Sequence, residues 1–387
     1  MNKACTFSRV GVAACVVAAG VIISGQAMAR SGYDYPYLYK DPSVMGMGGA
    51  SVAVGGKNSA VFTNPAGIGR LDSGFTVDLV PLTFSYGKTA KDFVDDMNDA
   101  LDIDDDDEQL DAVLDVLADY RGDNGHFALE TFPAVGWRGQ EVAINVGYLG
   151  SAKVDMRSHQ GYGSEGLLEV DGRLVHGPVF GGAYEQSHTR GITTYGASVK
   201  LLTMDRLDRS YSARGIIDLV DDDDYDLDDD LEDGSAVGFD LGIMHDFQLD
   251  HQWSPTVGFS MLNIGDTDFG SAGTIPMTFN LGASLSPEIR YFDSLVLAAD
   301  YVDLFNNYEE DSDFMKRVRL GAGLQLWDRR WSAMELQAGL YQGHYTAGAD
   351  LRLAILSLGF VTYAEEMGAY SGQDADRRYM LSMNIGW

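Results

Sequence analysis

The chain has 387 residues, with 27 Lys+Arg against 58 Asp+Glu, a formal net charge of −31 and 45% hydrophobic residues. That balance excludes a nucleic-acid binder, which needs a basic excess to neutralise phosphates. Two cysteines, Cys5 and Cys15, exclude a disulfide framework or a cysteine-ligated metal centre. The single long apolar run lies at the N-terminus, which excludes a bundle of transmembrane helices.

Residues 1–29 read as a signal peptide. Lys3 and Arg9 make a positive start, Val10 to Ile23 an apolar run, and Ala27-Met28-Ala29 a small-x-small cleavage site. The rival reading, Val12-Ala13-Ala14-Cys15 as a lipoprotein box, is weaker because the apolar run continues past Cys15. Cleavage after Ala29 leaves an exported chain with no cysteine.

Residues 30–74 do not alternate as strands do. Tyr33-Asp34-Tyr35-Pro36-Tyr37 is followed by a run containing Gly48 and Gly49, then by Asn64-Pro65-Ala66-Gly67. The glycines suit close backbone packing in an N-terminal hatch or plug. Asn64-Pro65-Ala66-Gly67 reads as a turn, fixed by proline and released by glycine. The G-x-G-x-x-G spacing of a dinucleotide site is missing.

After residue 230 period-two alternation dominates. Val237, Phe239, Leu241 and Ile243 alternate with Gly238, Asp240, Gly242 and Met244; Met277, Phe279, Leu281, Ala283 and Leu285 alternate with Thr278, Asn280, Gly282, Ser284 and Ser286. A soluble sandwich shares this alternation. Strands of about ten residues, a Gly-rich polar face and aromatics near strand ends point instead to a bilayer-spanning barrel. The pattern predicts an all-β, 14-stranded antiparallel transmembrane barrel over 75–387. Its strands are 75–86, 127–138, 142–156, 168–188, 193–211, 235–247, 254–263, 277–286, 295–303, 317–327, 331–341, 344–353, 355–364 and 378–387. Odd connections are long except Gln342-Gly343, and even ones are short, as periplasmic turns and outer loops require. The stretch 157–192 remains ambiguous in register. Tyr379, Leu381, Met383, Ile385 and Trp387 alternate up to an aromatic terminus of the kind that barrel-assembly machinery reads.

Two outer loops, 87–126 and 212–234, hold 25 of the 58 acidic residues. In the first, Phe93, Met97 and Leu101, then Leu110, Val113, Leu114 and Leu117, recur at helical spacing, predicting two amphipathic helices. Asp104, Asp105, Asp106 and Asp107, and Asp221, Asp222, Asp223 and Asp224, are candidate Ca²⁺ ligands. The spacing lacks the central glycine of an EF-hand, and dense like charge more often stays hydrated. No H-E-x-x-H, G-x-S-x-G or spaced Cys/His set marks an enzyme, so no catalytic residue and no cofactor is expected. A barrel hydrolase with a non-local triad stays open.

Gly48-Gly49-Ala50, then Ala60-Val61-Phe62-Thr63-Asn64-Pro65-Ala66-Gly67 ahead of a barrel, resembles the FadL/PorV superfamily of outer-membrane barrels. Tyr363-Ala364-Glu365-Glu366-Met367-Gly368-Ala369-Tyr370-Ser371-Gly372-Gln373 and Asp376-Arg377-Arg378-Tyr379 are similar to barrel proteins called conjugal transfer protein TraF. The resemblance implies fourteen strands, a hatch with gate positions at Asn64, Pro65 and Ala66, and sideways exit of a hydrophobic ligand through the wall. It also implies helices of 91–120 that gather that ligand, and residence in a Gram-negative outer membrane beside lipid and lipopolysaccharide. The acidic outer loops lack a basic cluster and repel anions, so an uncharged hydrophobic molecule suits the chain better than a fatty acid. The alternative is a non-transport component of a conjugation or secretion apparatus.

Overall fold

The computed structural model describes residues 35–159, 167–221, 231–247 and 253–387; the signal peptide expected over 1–29 lies outside them. Fourteen wall strands close into one antiparallel barrel. The first, β1, comes in two pieces, Gly74–Asp78 and Leu82–Gly87, and so does β2, Asn124–Thr131 and Ala134–Arg138. The others are continuous: β3 Val142–His159, β4 Leu167–His188, β5 Gly191–Ser212, β6 Glu232–Phe247, β7 Pro255–Leu262, β8 Thr278–Leu285 and β9 Ser294–Tyr301. They go on with β10 Val318–Arg329, β11 Ser332–Tyr341, β12 His344–Leu353, β13 Leu356–Glu366 and β14 Ala375–Ile385. Each pairs with its neighbours in sequence, and β14 returns to β1 with Arg378 opposite Gly87 and Met383 opposite Leu82. Closure leaves no unpaired edge.

The ambiguous stretch resolves as a regular β3–β4 ladder running from Val142 opposite Tyr184 to His159 opposite Leu167. The two breaks were not anticipated. Pro81 and Pro133 have no N–H to give a ladder, and the β1–β2 pairing stops at Asp78 opposite Ala134 and resumes at Leu82 opposite Thr131.

The period-two pattern sorts the side chains as expected of a barrel in lipid. Val237, Phe239 and Leu241 on β6 are 51%, 49% and 50% exposed on the outer surface, while Gly238 and Asp240 between them are buried inside. Leu281 on β8, also half exposed, occupies the middle of this apolar band. Leu281→Arg is expected to cost about 2–4 kcal/mol in a bilayer, where a cation meets hydrocarbon. Urea titration of vesicle-embedded protein measures it, and no change in midpoint would mean that this surface faces water.

At the long-loop end, β3, β4 and β5 rise past their neighbours and carry three helices: α1 Ala90–Leu101, α2 Asp106–Asp119 and α3 Ala213–Asp221. The two predicted helices are there, and Asp105 caps α2 by accepting from the Asp107 and Glu108 amides. Phe93, Met97, Val113 and Leu117 pack with Met156, Leu168, Val170 and Tyr211 of the raised strands. The second acidic loop begins as helix α3, with Ile216 buried in the same cluster, because its first turns are apolar enough to dock before the aspartates begin. Asp222, Asp223 and Asp224 lie outside the described residues.

Candidate functional site: a plugged lumen with two chambers

The segment before β1 fills the lumen. It contains a short helix, Pro42–Gly46, and two 3-10 turns, Asn58–Phe62 and Pro65–Arg70. The Gly-rich inner face of the wall exists to receive it. A methyl group added at Gly196 would lie 2.1 Å from the Ala66 amide nitrogen, at Gly242 1.9 Å from Asn64 Oδ1, and at Gly258 2.3 Å from the Val52 carbonyl. Any side chain there would push the plug off the wall. Gly48 has a left-handed backbone (φ 66°) and sits against the Leu320 and Leu340 backbone, where only glycine has room.

Asn64 is 1% exposed and works as an anchor. Its Oδ1 accepts from the Ala66 amide, capping the second 3-10 turn, and its Nδ2 donates to the Val52 carbonyl at 2.7 Å. Pro65 occupies the first position of that turn. Gly67 does not release a turn as the sequence suggested. The 3-10 turn runs on to Arg70, and Gly67 is small because a methyl there would meet Gly55 Cα at 2.8 Å.

Two cavities lie back to back in the lumen. The one toward the long loops, about 100 Å³, is lined by Tyr35, Tyr37, Tyr39, Phe62, Tyr308 and Tyr341, with Lys40, Lys200, Arg317 and Arg319 around them. The one toward the short turns, about 200 Å³, is lined by Val54, Gly55, Lys57, Ser294, Gln325 and Glu335 among others. Tyr39, Asp41, Val44, Ser51, Phe62 and Thr63 line both, so these plug residues form the partition. Asn64, Pro65, Ala66 and Gly67 line neither; the structure places Asn64, Pro65 and Ala66 on the wall at β5 and β6, Gly67 against Gly55 within the plug, and Gly49 on the upper cavity.

The charges around the upper cavity face one another. Lys40 pairs with Glu365 at 2.8 Å, Lys200 with Asp240 at 2.9 Å and Lys316 with Asp311 at 2.7 Å. Arg319 stacks 4.0 Å over the Tyr341 ring, and Tyr35 donates to the Pro276 carbonyl. With polar groups engaged, the rings present aromatic faces. Asp300 in β9 accepts from the Ser51 and Val52 amides at 2.6 and 2.8 Å, tying the partition to the wall. Phe62 meets Phe132 edge-on at 4.8 Å, beside the Pro81/Pro133 break.

Asp41 holds the plug together. It accepts from Ser43 at 3.0 and 2.7 Å and from Ser59 at 2.6 Å, and lies 3.6 Å from Lys57. Burial pushes its carboxyl up, but Lys57 and these hydrogen bonds outweigh burial and hold it below the ordinary 3.8. A group lowered in the folded state stabilises above its unfolded pKa and loses that contribution as pH falls through the folded value. Plug protection from hydrogen exchange is therefore expected to hold from neutral pH to about 4 and to fall below that. Asp41→Asn should flatten this dependence; an unchanged acid profile in that variant would refute the assignment.

A further cluster escaped the sequence reading. Ser85 Oγ is 2.9 Å from His126 Nε2, and His126 Nδ1 is 2.6 Å from Asp155 Oδ1. Arg378 contacts Asp155 across the β14–β1 junction at 3.4 Å. Residues 85, 126 and 155 share no spacing a motif search would notice. The order resembles a nucleophile–base–acid chain, but Ser85 and His126 are each 2% exposed. As folded, the row braces β1, β2 and β3 side by side.

Asp104 to Asp107 are exposed, and Asp105 is occupied as the α2 cap. Among the described residues no group of three His, Cys, Asp or Glu side chains is placed to hold a metal ion.

No family model matches this chain, and no curated protein matches it. Solved structures do. The CymD monoaromatic hydrocarbon channel aligns with a TM-score of 0.50 at 13% identity, covering 91% of this chain and 98% of its own. A TodX deltaS2S3 mutant monoaromatic hydrocarbon channel gives 0.52 at 10% identity, with 92% and 98% covered. The toluene transporter TbuX of Ralstonia pickettii gives 0.50 at 13% identity, with 90% and 99% covered. At these identities the likeness shows a shared barrel fold across nearly the whole of each chain.

Proposed function

We propose that this chain is a plugged channel of a Gram-negative outer membrane, passing small, uncharged, hydrophobic molecules. The observation that carries this reading is the pair of cavities separated only by plug residues. A molecule in the upper cavity is one partition away from the lower one. An apolar cavity of about 150 Å³ accepts a benzene-sized ring, and the upper chamber is of that order. Its aromatic lining and internally paired charges favour a flat neutral ring over a carboxylate. The neighbours described as hydrocarbon channels and a toluene transporter point the same way. The Pro81/Pro133 break, next to Phe62 and Phe132, offers a sideways route into the bilayer.

Uptake of radiolabelled toluene by cells carrying or lacking the gene tests the proposal. Loss of the gene should slow uptake at low external concentration, and Phe62→Ala, which removes an aromatic ring from the partition, should speed it. Equal uptake in all three strains would defeat the transport reading.

A further inference from the structure

Three consecutive short turns carry a feature at odds with the charge of the chain. The β8–β9 turn holds Arg290, Tyr291 and Phe292; Arg329 ends β10 and the β10–β11 turn holds Arg330 and Trp331; and Arg352 precedes the β12–β13 turn at Ala354. The turns form one continuous rim. Asp293 accepts from the Asp328 amide at 2.5 Å and from Arg329 at 2.6 Å, Arg352 pairs with Asp328, and the Ala354 amide donates to the Trp331 carbonyl at 2.8 Å. Four arginines thus meet three acids, Glu288, Asp293 and Asp328, in a chain whose net charge is −31.

Asp293 and Asp328 are taken by Arg329 and Arg352. Arg290 and Arg330 make no ion pair among the described residues. Each lies over its own aromatic neighbour instead, Arg290 6.0 Å from the Tyr291 ring and Arg330 5.2 Å from the Trp331 ring. Tyr291 and Trp331 are 83% and 67% exposed. Aromatic side chains at a strand end sit at headgroup depth. A guanidinium held beside them is at the level of lipid phosphates, which it binds through two parallel hydrogen bonds.

We propose that this rim is a binding site for anionic phospholipid headgroups, with Arg290 and Arg330 as the phosphate-binding groups. The inference rests on the membrane-channel reading, with the short turns in the inner, phospholipid leaflet. The charge then divides by leaflet: acids crowd the long-loop end, and the free arginines face the anionic lipids. A row of such lipids would hold the barrel at fixed depth and rotation about β8 to β13.

The test uses the full chain reconstituted in vesicles of two parts phosphatidylethanolamine to one part phosphatidylglycerol, then extracted for native mass spectrometry. Retained phosphatidylglycerol should exceed phosphatidylethanolamine by about thirtyfold after correction for abundance, from two surface arginines. Arg290→Gln/Arg330→Gln should bring the ratio to parity. Arg290→Lys/Arg330→Lys, keeping charge but not the fork, should fall between. Lys88→Gln at the opposite end should change nothing. Equal retention of both lipids by the parent chain, or an unchanged ratio in the glutamine variant, overturns the proposal alone. Failure of the parent chain to insert into the vesicles overturns the membrane reading and this site with it.

Discussion

Gly196→Val should convert a closed barrel into one that conducts ions. Gly196 faces the lumen on β5, and a Cβ there would lie 2.1 Å from the Ala66 nitrogen and 2.2 Å from the Pro65 carbonyl carbon. Both are backbone atoms, so no side chain can swing away to make room. The neighbouring contact at Gly242 and the hydrogen bond from Asn64 Nδ2 to the Ile243 carbonyl, at 3.4 Å, hold the same segment against the wall. Around Gly196 the wall is held by the β4–β5 pairing from Val179 opposite Lys200 to His188 opposite Gly191 and by the β5–β6 ladder, so it is the plug that yields. Overpacking of this kind costs about 1–3 kcal/mol, enough to shift a plug held by a few hydrogen bonds without unfolding the barrel. Planar-bilayer recordings should show persistent currents for Gly196→Val and rare openings for the parent. Gly182→Val is the control, because a Cβ there meets only the Ala143 carbonyl, at 3.8 Å. If Gly196→Val stays as closed as that control, the plug is not seated through Ala66.

Lys40→Met should be the most destabilising single change in the plug, and Glu365→Gln should rescue it. Lys40 Nζ is 2.8 Å from Glu365 Oε2, with side chains 9% and 0% exposed, and Tyr341 donates to the other Glu365 oxygen at 2.9 Å. Removing the lysine strands a buried carboxylate, which costs about 3–5 kcal/mol. Neutralising Glu365 as well leaves an amide that still accepts from Tyr341, so most of that loss should return. The temperature at which the folded barrel converts to the unfolded gel band reports the effect. A double variant no more stable than Lys40→Met would show that the pair does not act as a unit.

Much of the wall could be read in advance because its physics is local. A strand whose odd residues face outward and whose even residues meet a packed lumen must alternate, and Val237 to Ile243 or Met277 to Leu285 show it without help from distant residues. The parity of loop lengths carried the topology. What was missed depends on pairings across the barrel. Pro81 and Pro133 were absorbed into continuous strands, although a proline in a wall strand signals a break; their significance lies in facing each other. The plug was recognisable from its glycines and Asn64-Pro65-Ala66, but the partition falls on Tyr39, Phe62 and Thr63, because cavity position is set by which parts of the plug the inner glycines hold down. Ser85, His126 and Asp155 meet only when β1, β2 and β3 are aligned.

The seam of the barrel has a temporal consequence. β14 zips onto β1, with Trp387 exchanging backbone hydrogen bonds with Val77, and the plug immediately precedes β1 in the chain. Its backbone lies within touching distance of glycines on β5, β6, β7, β10, β11 and β12, and its Asn58 and Leu71 side chains reach Gly136 on β2, nearly all the way round the interior. Such a part cannot be threaded through a finished cylinder and then pressed outward in every direction at once. The sheet has to roll up around it, so the segment ahead of β1 serves as a mandrel, and the β14–β1 seam locks it in.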